Sequence, residues 1–110
     1  MAIHAVNMFR LRPGVTLADF ERFSAELDRP RCLAFDVVLG FEVYLAEKVD
    51  DDPSSPDVIE VMTVASWSEW EQVRDSAPEL KPVVQRFDEL VEPASISTVF
   101  TRRSPLPEEN

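Results

Sequence analysis

The sequence predicts an α+β domain: a four-stranded antiparallel sheet with both helices on one face, in the order β-α-β-β-α-β. Three observations carry this. Four β-prone stretches are bounded by proline, glycine or polar turns. Two amphipathic stretches open on capping boxes. One helical stretch follows the first strand, and the other follows the third.

The first strand is "AIHAVNMFRL" (Ala2 to Leu11), which ends at the turn Arg12-Pro13-Gly14. Thr16 heads "TLAD", where a hydroxyl and an acid three residues on can bond the free amides of a first helical turn. Leu17, Phe20, Phe23 and Leu27 follow at helical spacing, and Pro30 is expected to stop this helix near Asp28. "VVLGFEVYLA" (Val37 to Ala46) is the second strand. Strict alternation puts Leu39, Phe41, Val43 and Leu45 on one face, with Val38, Gly40, Glu42, Tyr44 and Ala46 on the other. "EKVDDDPSSPD" reads as a solvated hairpin loop, and its aspartates lack the glycine and distant glutamate of a calcium loop.

"VIEVMTVA" (Val58 to Ala65) is the third strand, and "SWSE" (Ser66 to Glu69) opens the second helix. Trp67, Trp70 and Val73, and then Leu80, Val83, Val84, Phe87 and Leu90, form its apolar stripe, and the tryptophans are expected to pack it onto the sheet. Pro78 interrupts the stripe, so a kink or restart is expected near Ser76, with Pro82 in the first turn of the new segment. Pro93 closes the helix, and "ASISTVFTR" (Ala94 to Arg102) is the fourth strand. Residues 1–102 form one domain, and 103–110 read as a mobile tail.

This is the split βαβ pattern of ferredoxin-like folds. Right-handed crossovers give the strand order 4-1-3-2. The sheet face away from the helices then has nothing to cover it, although both faces of the second strand are apolar. A second copy packed sheet on sheet would cover it, which predicts a homodimer with a shared α+β barrel.

Bulk properties narrow the function. Twenty-one acids against 11 bases give a formal charge of −10, which disfavours nucleic acid and anionic membranes as partners. No apolar run reaches the roughly 20 residues of a membrane helix, and no secretory signal is visible at the start. A single cysteine fits a reducing cytoplasm. One histidine excludes multi-histidine metal sites, and two glycines leave no phosphate loop, so neither a metal nor a nucleotide cofactor is expected.

Several residues together resemble the RedY-like family within the dimeric α+β barrel superfamily. They are His4 in the first strand, Asp28 and Cys32 in "LDRPRCLAFDVVLGFEVY", Glu60 in "VIEVMTV", and the helix "LKPVVQRFDEL". The framework spans most of the chain. Arg31 stands where a small hydroxyl residue is expected, and Thr63 where a second acid is expected. The resemblance implies a cofactor-free enzyme of specialised metabolism that closes aromatic rings of indole, carbazole or pyrrole type.

The polar residues each carry two readings. His4 is either a general acid-base or a strand-edge histidine bonded to backbone. Glu60, in an apolar strand, either holds a proton in a buried site or faces outward to an arginine. If the central strands pair at their midpoints, His4 and Glu60 lie about four positions apart, roughly 13 Å, at opposite ends of a substrate. Asp28 either orients Arg31 or a substrate group, or is a helix-end residue. Cys32 lies close to Arg29 and Arg31, whose charges lower a thiol pKa. It reads first as a small buried hydrophobe and second as a nucleophile that has no second histidine as its base, at a stretch that could frame a pocket mouth. Glu42 and Tyr44 are expected to line the cavity. The favoured function is a cyclase in which His4, Glu60 and Asp28 move protons during ring closure and loss of water. Arg31, Cys32, Glu42 and Tyr44 would frame the small aromatic or pyrrolic metabolite. A cofactor-independent monooxygenase and a non-catalytic stress-type or binding barrel are the alternatives.

Overall fold

The computed structural model describes residues 2–48 and 52–107. Part of the acidic loop (49–51) and the end of the expected tail (108–110) lie outside the described residues. The described part of the loop has turns only, and residues 103–107 are exposed.

Four strands, β1 (Ile3–Phe9), β2 (Val38–Leu45), β3 (Val58–Val64) and β4 (Ser97–Thr101), make one antiparallel sheet in the order β2-β3-β1-β4. This is the predicted 4-1-3-2 order read from the other edge. The helices are α1 (Leu17–Phe23), α2 (Arg29–Leu33), α3 (Trp67–Ser76) and α4 (Lys81–Leu90). Phe9, Phe20, Val58, Val64, Leu80 and Val91 are almost completely buried in the core. Among the described residues, no helix is long and apolar enough to cross a membrane.

Local chemistry explains the elements. The Thr16 hydroxyl accepts the Asp19 N–H at 3.0 Å, and the Asp19 carboxylate accepts the Thr16 N–H at 3.0 Å, so the predicted capping box is complete. Ser66 likewise accepts the Glu69 N–H at 3.3 Å. The second helical stretch breaks where expected. α3 ends at Ser76, a 3₁₀ turn spans Pro78–Leu80, and Pro82 sits in the first turn of α4, where its missing N–H costs nothing.

Two expectations are corrected. The first helix does not stop near Asp28, because the chain stays helical to Leu33 through a π-helical turn at Ser24–Asp28. Pro30 has no N–H, and its ring would strike the carbonyl four residues back. The Arg29 N–H instead reaches the Ser24 carbonyl five back, and this wider turn makes room for the ring. The strict alternation of β2 also fails at its start. Val38 faces Val64 and Gly40 faces Thr63, which leaves Leu39 as the extra residue of a bulge. Val38 and Phe41 are therefore both buried, while Leu39 is 57% exposed.

Register and burial sort the sheet into two faces. Ala5, Asn7 and Phe9 of β1 share the helix-covered side with Phe41, Val58, Glu60, Met62 and Val64. His4, Val6 and Met8 share the uncovered side with Glu42, Tyr44, Ile59, Val61, Thr63 and Val99.

Candidate functional site: an acid pair beneath an apolar cavity

The helix side of the sheet carries a cavity of about 280 Å³ between the sheet and α2, α3 and α4. Its walls are mostly apolar, with Phe9, Phe41, Met62, Trp70, Val83 and Phe87 among them. Asn7, Asp28, Cys32, Glu60 and Thr98 add polar groups, and Arg74 adds a cation.

Each acid is placed by a specific local device. Glu60 occupies the middle of β3, where the pairing of Asn7 with Glu60 turns both toward the helices. Asp28 closes the π-helical turn, and Cys32 lies one turn further on in α2. The Cys32 thiol donates to Asp28 Oδ1 at 3.4 Å, while the Arg29 Nε donates to the buried Ser24 hydroxyl at 3.0 Å. Across the sheet, the Thr98 hydroxyl donates to Asn7 Oδ1 at 2.6 Å, which leaves the Asn7 amide N–H free to bond Glu60. Glu60 Oε2 has no partner and is fully shielded.

Taking carboxylates out of water favours their protonated forms. Burial pushes Asp28 up to about 6, against the Cys32 thiol and the Arg29 charge, which pull the other way. Burial, and then the negative charge of Asp28, push Glu60 well above the usual carboxyl range. The Asn7 hydrogen bond and Arg29 oppose this. Two close acids in one dry site cannot both ionise readily, so near neutral pH the pair keeps one proton, and Glu60 is the better holder. Burial and the same Asp28 hold the Cys32 thiol protonated, which makes it a hydrogen-bond donor and a poor nucleophile.

The predicted site residues thus divide into three groups. Asp28, Cys32 and Glu60 meet at the cavity floor. His4 does not join them. It pairs with Thr63, three positions along β1 from the Asn7–Glu60 pair, and an odd offset puts it on the opposite face. There its Nδ1 bonds the Thr63 hydroxyl at 2.8 Å. The expected placement of His4 and Glu60 at two ends of one substrate is therefore corrected.

Glu42 and Tyr44 also lie on the uncovered face, where the Tyr44 hydroxyl donates to Glu42 Oε2 at 3.1 Å, so they do not line this cavity. Arg31 points away from the cavity and donates to the Glu79 carbonyl at 3.0 Å, and Asp28 does not orient it. Trp70 packs the core as expected, whereas Trp67 stacks edge-on against Phe100, with centroids 4.8 Å apart, and lines the cavity.

Three lining residues escaped the sequence reading. Asn7 carried a signal: it alternates with Ala5 and Phe9, so one polar residue sits on the face that buries its neighbours. Thr98 and Arg74 had no comparable mark.

A family model described as REDY-like protein HapK matches residues 3–103. The chain belongs to the HapK family. HapK itself, from Hahella chejuensis, superposes with a TM-score of 0.71 at 17% identity, covering 93% of this chain and 92% of that one. SnoaB from Streptomyces nogalater, a cofactor-independent oxygenase, gives 0.72 at 16% identity over 96% and 97%. A dimeric ferredoxin-like protein of unknown function from Thermobifida fusca gives 0.69 at 14% identity over 92% and 90%. At these identities the likeness establishes the ferredoxin-like fold. No curated protein sequence matches the chain.

Proposed function

We propose that the chain is a cofactor-free cyclase of specialised metabolism, closing an aromatic ring by acid-base catalysis with loss of water. The observation that carries this reading is the Glu60–Asp28 pair beneath an apolar cavity, with Glu60 Oε2 buried and unpartnered. A carboxylic acid there donates to a leaving hydroxyl, which departs as water. The neighbouring Asp28 carboxylate takes a proton from the ring-forming centre. Passage of that proton from Asp28 to Glu60 restores the starting state. The apolar walls hold the precursor folded and keep bulk water out, which supplies orientation as well as a low dielectric. Cys32 donates to Asp28 and holds it in place.

The working unit is a homodimer. The uncovered sheet face exposes Leu39, Tyr44 and Val99, each about half accessible, and adjoins Val6, Met8, Ile59 and Val61. Water against so much apolar sheet is unfavourable, and a second copy of the same face covers it. The Thermobifida fusca relative of this fold is dimeric. In this arrangement His4 and Thr63 belong to the interface.

The test is incubation of the purified protein with metabolite extract from its source, with and without oxygen, followed by mass spectrometry. Expected is a product lighter by one water, formed without oxygen, retained by His4→Ala and lost or reduced at least a hundredfold in Glu60→Gln. A product heavier by an oxygen atom would move the protein to the monooxygenases. Turnover intact in Glu60→Gln would remove the acid-base assignment.

A further inference from the structure

The cavity is electrostatically lopsided. Among the described residues that line it, the charged ones are Asp28 and Glu60 at the floor and Arg74 near the opening. Arg74 is the one cation on the wall of a site that sits within a chain of charge −10. Its guanidinium lies 6.0 Å from the ring centre of Trp67, which also meets the half-exposed Phe100 edge-on. An arginine above an aromatic wall presents its N–H fork beside a flat apolar surface.

Arg74 has surface partners already. Its Nε lies 3.1 Å from the Asp75 carboxylate, and Nη2 lies 3.7 Å from Glu71. Both acids are largely solvent-exposed, so these pairs are weakly held, and a guanidinium has five N–H donors to share. Arg74 and Val84 also line a second hollow, where Asp75 and Lys81 are the other charged residues, so Lys81 adds a second cation outside the cavity mouth that offsets the Asp75 carboxylate. An anionic group cannot be accommodated at the floor, where two acids share one proton. A ligand carrying one must turn it outward.

We infer that Arg74 forms an anion subsite at the mouth, so that the cavity takes aromatic acids with the ring between Trp67 and the apolar walls and the carboxylate on the guanidinium. The inference rests on the reading of this cavity as an aromatic-substrate site, and it adds the chemical class of that substrate. It also assigns Arg74 a role in specificity.

The probes are naphthoate and its uncharged analogue naphthylmethanol, titrated calorimetrically into the wild type, Arg74→Gln and Glu60→Gln. Without a local cation, the protein's negative field makes the acid the weaker ligand. The subsite reverses this. Naphthoate is expected to bind the wild type about tenfold more tightly than the alcohol, as a bidentate arginine-carboxylate contact allows. Arg74→Gln is expected to abolish the preference while leaving the alcohol's affinity unchanged, and Glu60→Gln to keep the preference. In the wild type the preference is expected to shrink as salt is raised, which provides a readout even if Arg74→Gln does not fold.

Equal binding of the two probes, a preference that survives Arg74→Gln, or one insensitive to salt would each overturn the subsite while leaving the aromatic cavity standing. Failure of both probes to bind the wild type would overturn the cavity reading together with the subsite.

Discussion

Asp28 is an acid that burial holds at a cost to stability. Its pKa is raised in the folded protein, so folding favours the protonated acid, and ionising it costs stability. The stabilising protonated form is fully present below the ordinary value of 3.8, and its advantage is lost as pH rises through about 6. Asp28→Asn is therefore expected to raise stability by about 3 kcal/mol at pH 8, seen as a higher Tm, with the gain vanishing near pH 4. A Tm difference that does not change with pH would contradict the burial argument. The amide oxygen can still accept from Cys32, so the change isolates the charge. Glu60 was visible in the sequence because an acid inside an apolar strand is conspicuous, whereas Asp28 and Cys32 were picked out by the resemblance of their segment to the RedY-like family. The position of His4 was not visible. It depends on whether β1 and β3 pair with an odd or even offset, and strand composition does not encode that offset.

At the scale of elements, the helical run from Leu17 to Leu33 delivers Asp28 and Cys32 to the cavity, and its two ends are secured differently. The Thr16–Asp19 capping box fixes the start, and was legible because hydroxyl and acid stand three residues apart. Thr16→Ala is expected to cost about 1 kcal/mol, measured as a lower urea midpoint, with naphthylmethanol binding unchanged because the cap is remote from the cavity. The far end was misjudged for a clear reason. A proline rule describes an ordinary α-helix, and here the chain widens to a π-turn before Pro30, which is what carries Asp28 round to face β3. The bulge at Leu39 escaped notice for a similar reason: the run from Val37 to Leu45 is apolar at nearly every position, so its alternation fits two registers.

The whole molecule has one helix-covered sheet face that carries the cavity and one bare face with exposed apolar residues. Element order was enough to foresee this division, since β-α-β-β-α-β with right-handed crossovers places both helical layers together. It could not show which polar residues fall on which face, and so Glu42 and Tyr44 were misassigned to the cavity. In solution the chain is expected to sediment at twice its 12.5 kDa mass. The substitution Val99→Lys, in the middle of the edge strand β4 and 46% exposed on the bare face of the single chain, is expected to weaken that association at least tenfold without unfolding the domain. A monomer in the wild type at micromolar concentration would contradict the shared barrel.

Infrared difference spectroscopy of the wild type against Glu60→Gln at neutral pH tests most directly whether the cavity floor holds a working proton. The account expects one protonated carboxyl band in a dry environment, absent from the variant and stable across the pH range in which exposed acids are fully ionised. Two ionised carboxylates at neutral pH, with no such band in the wild type, would contradict it.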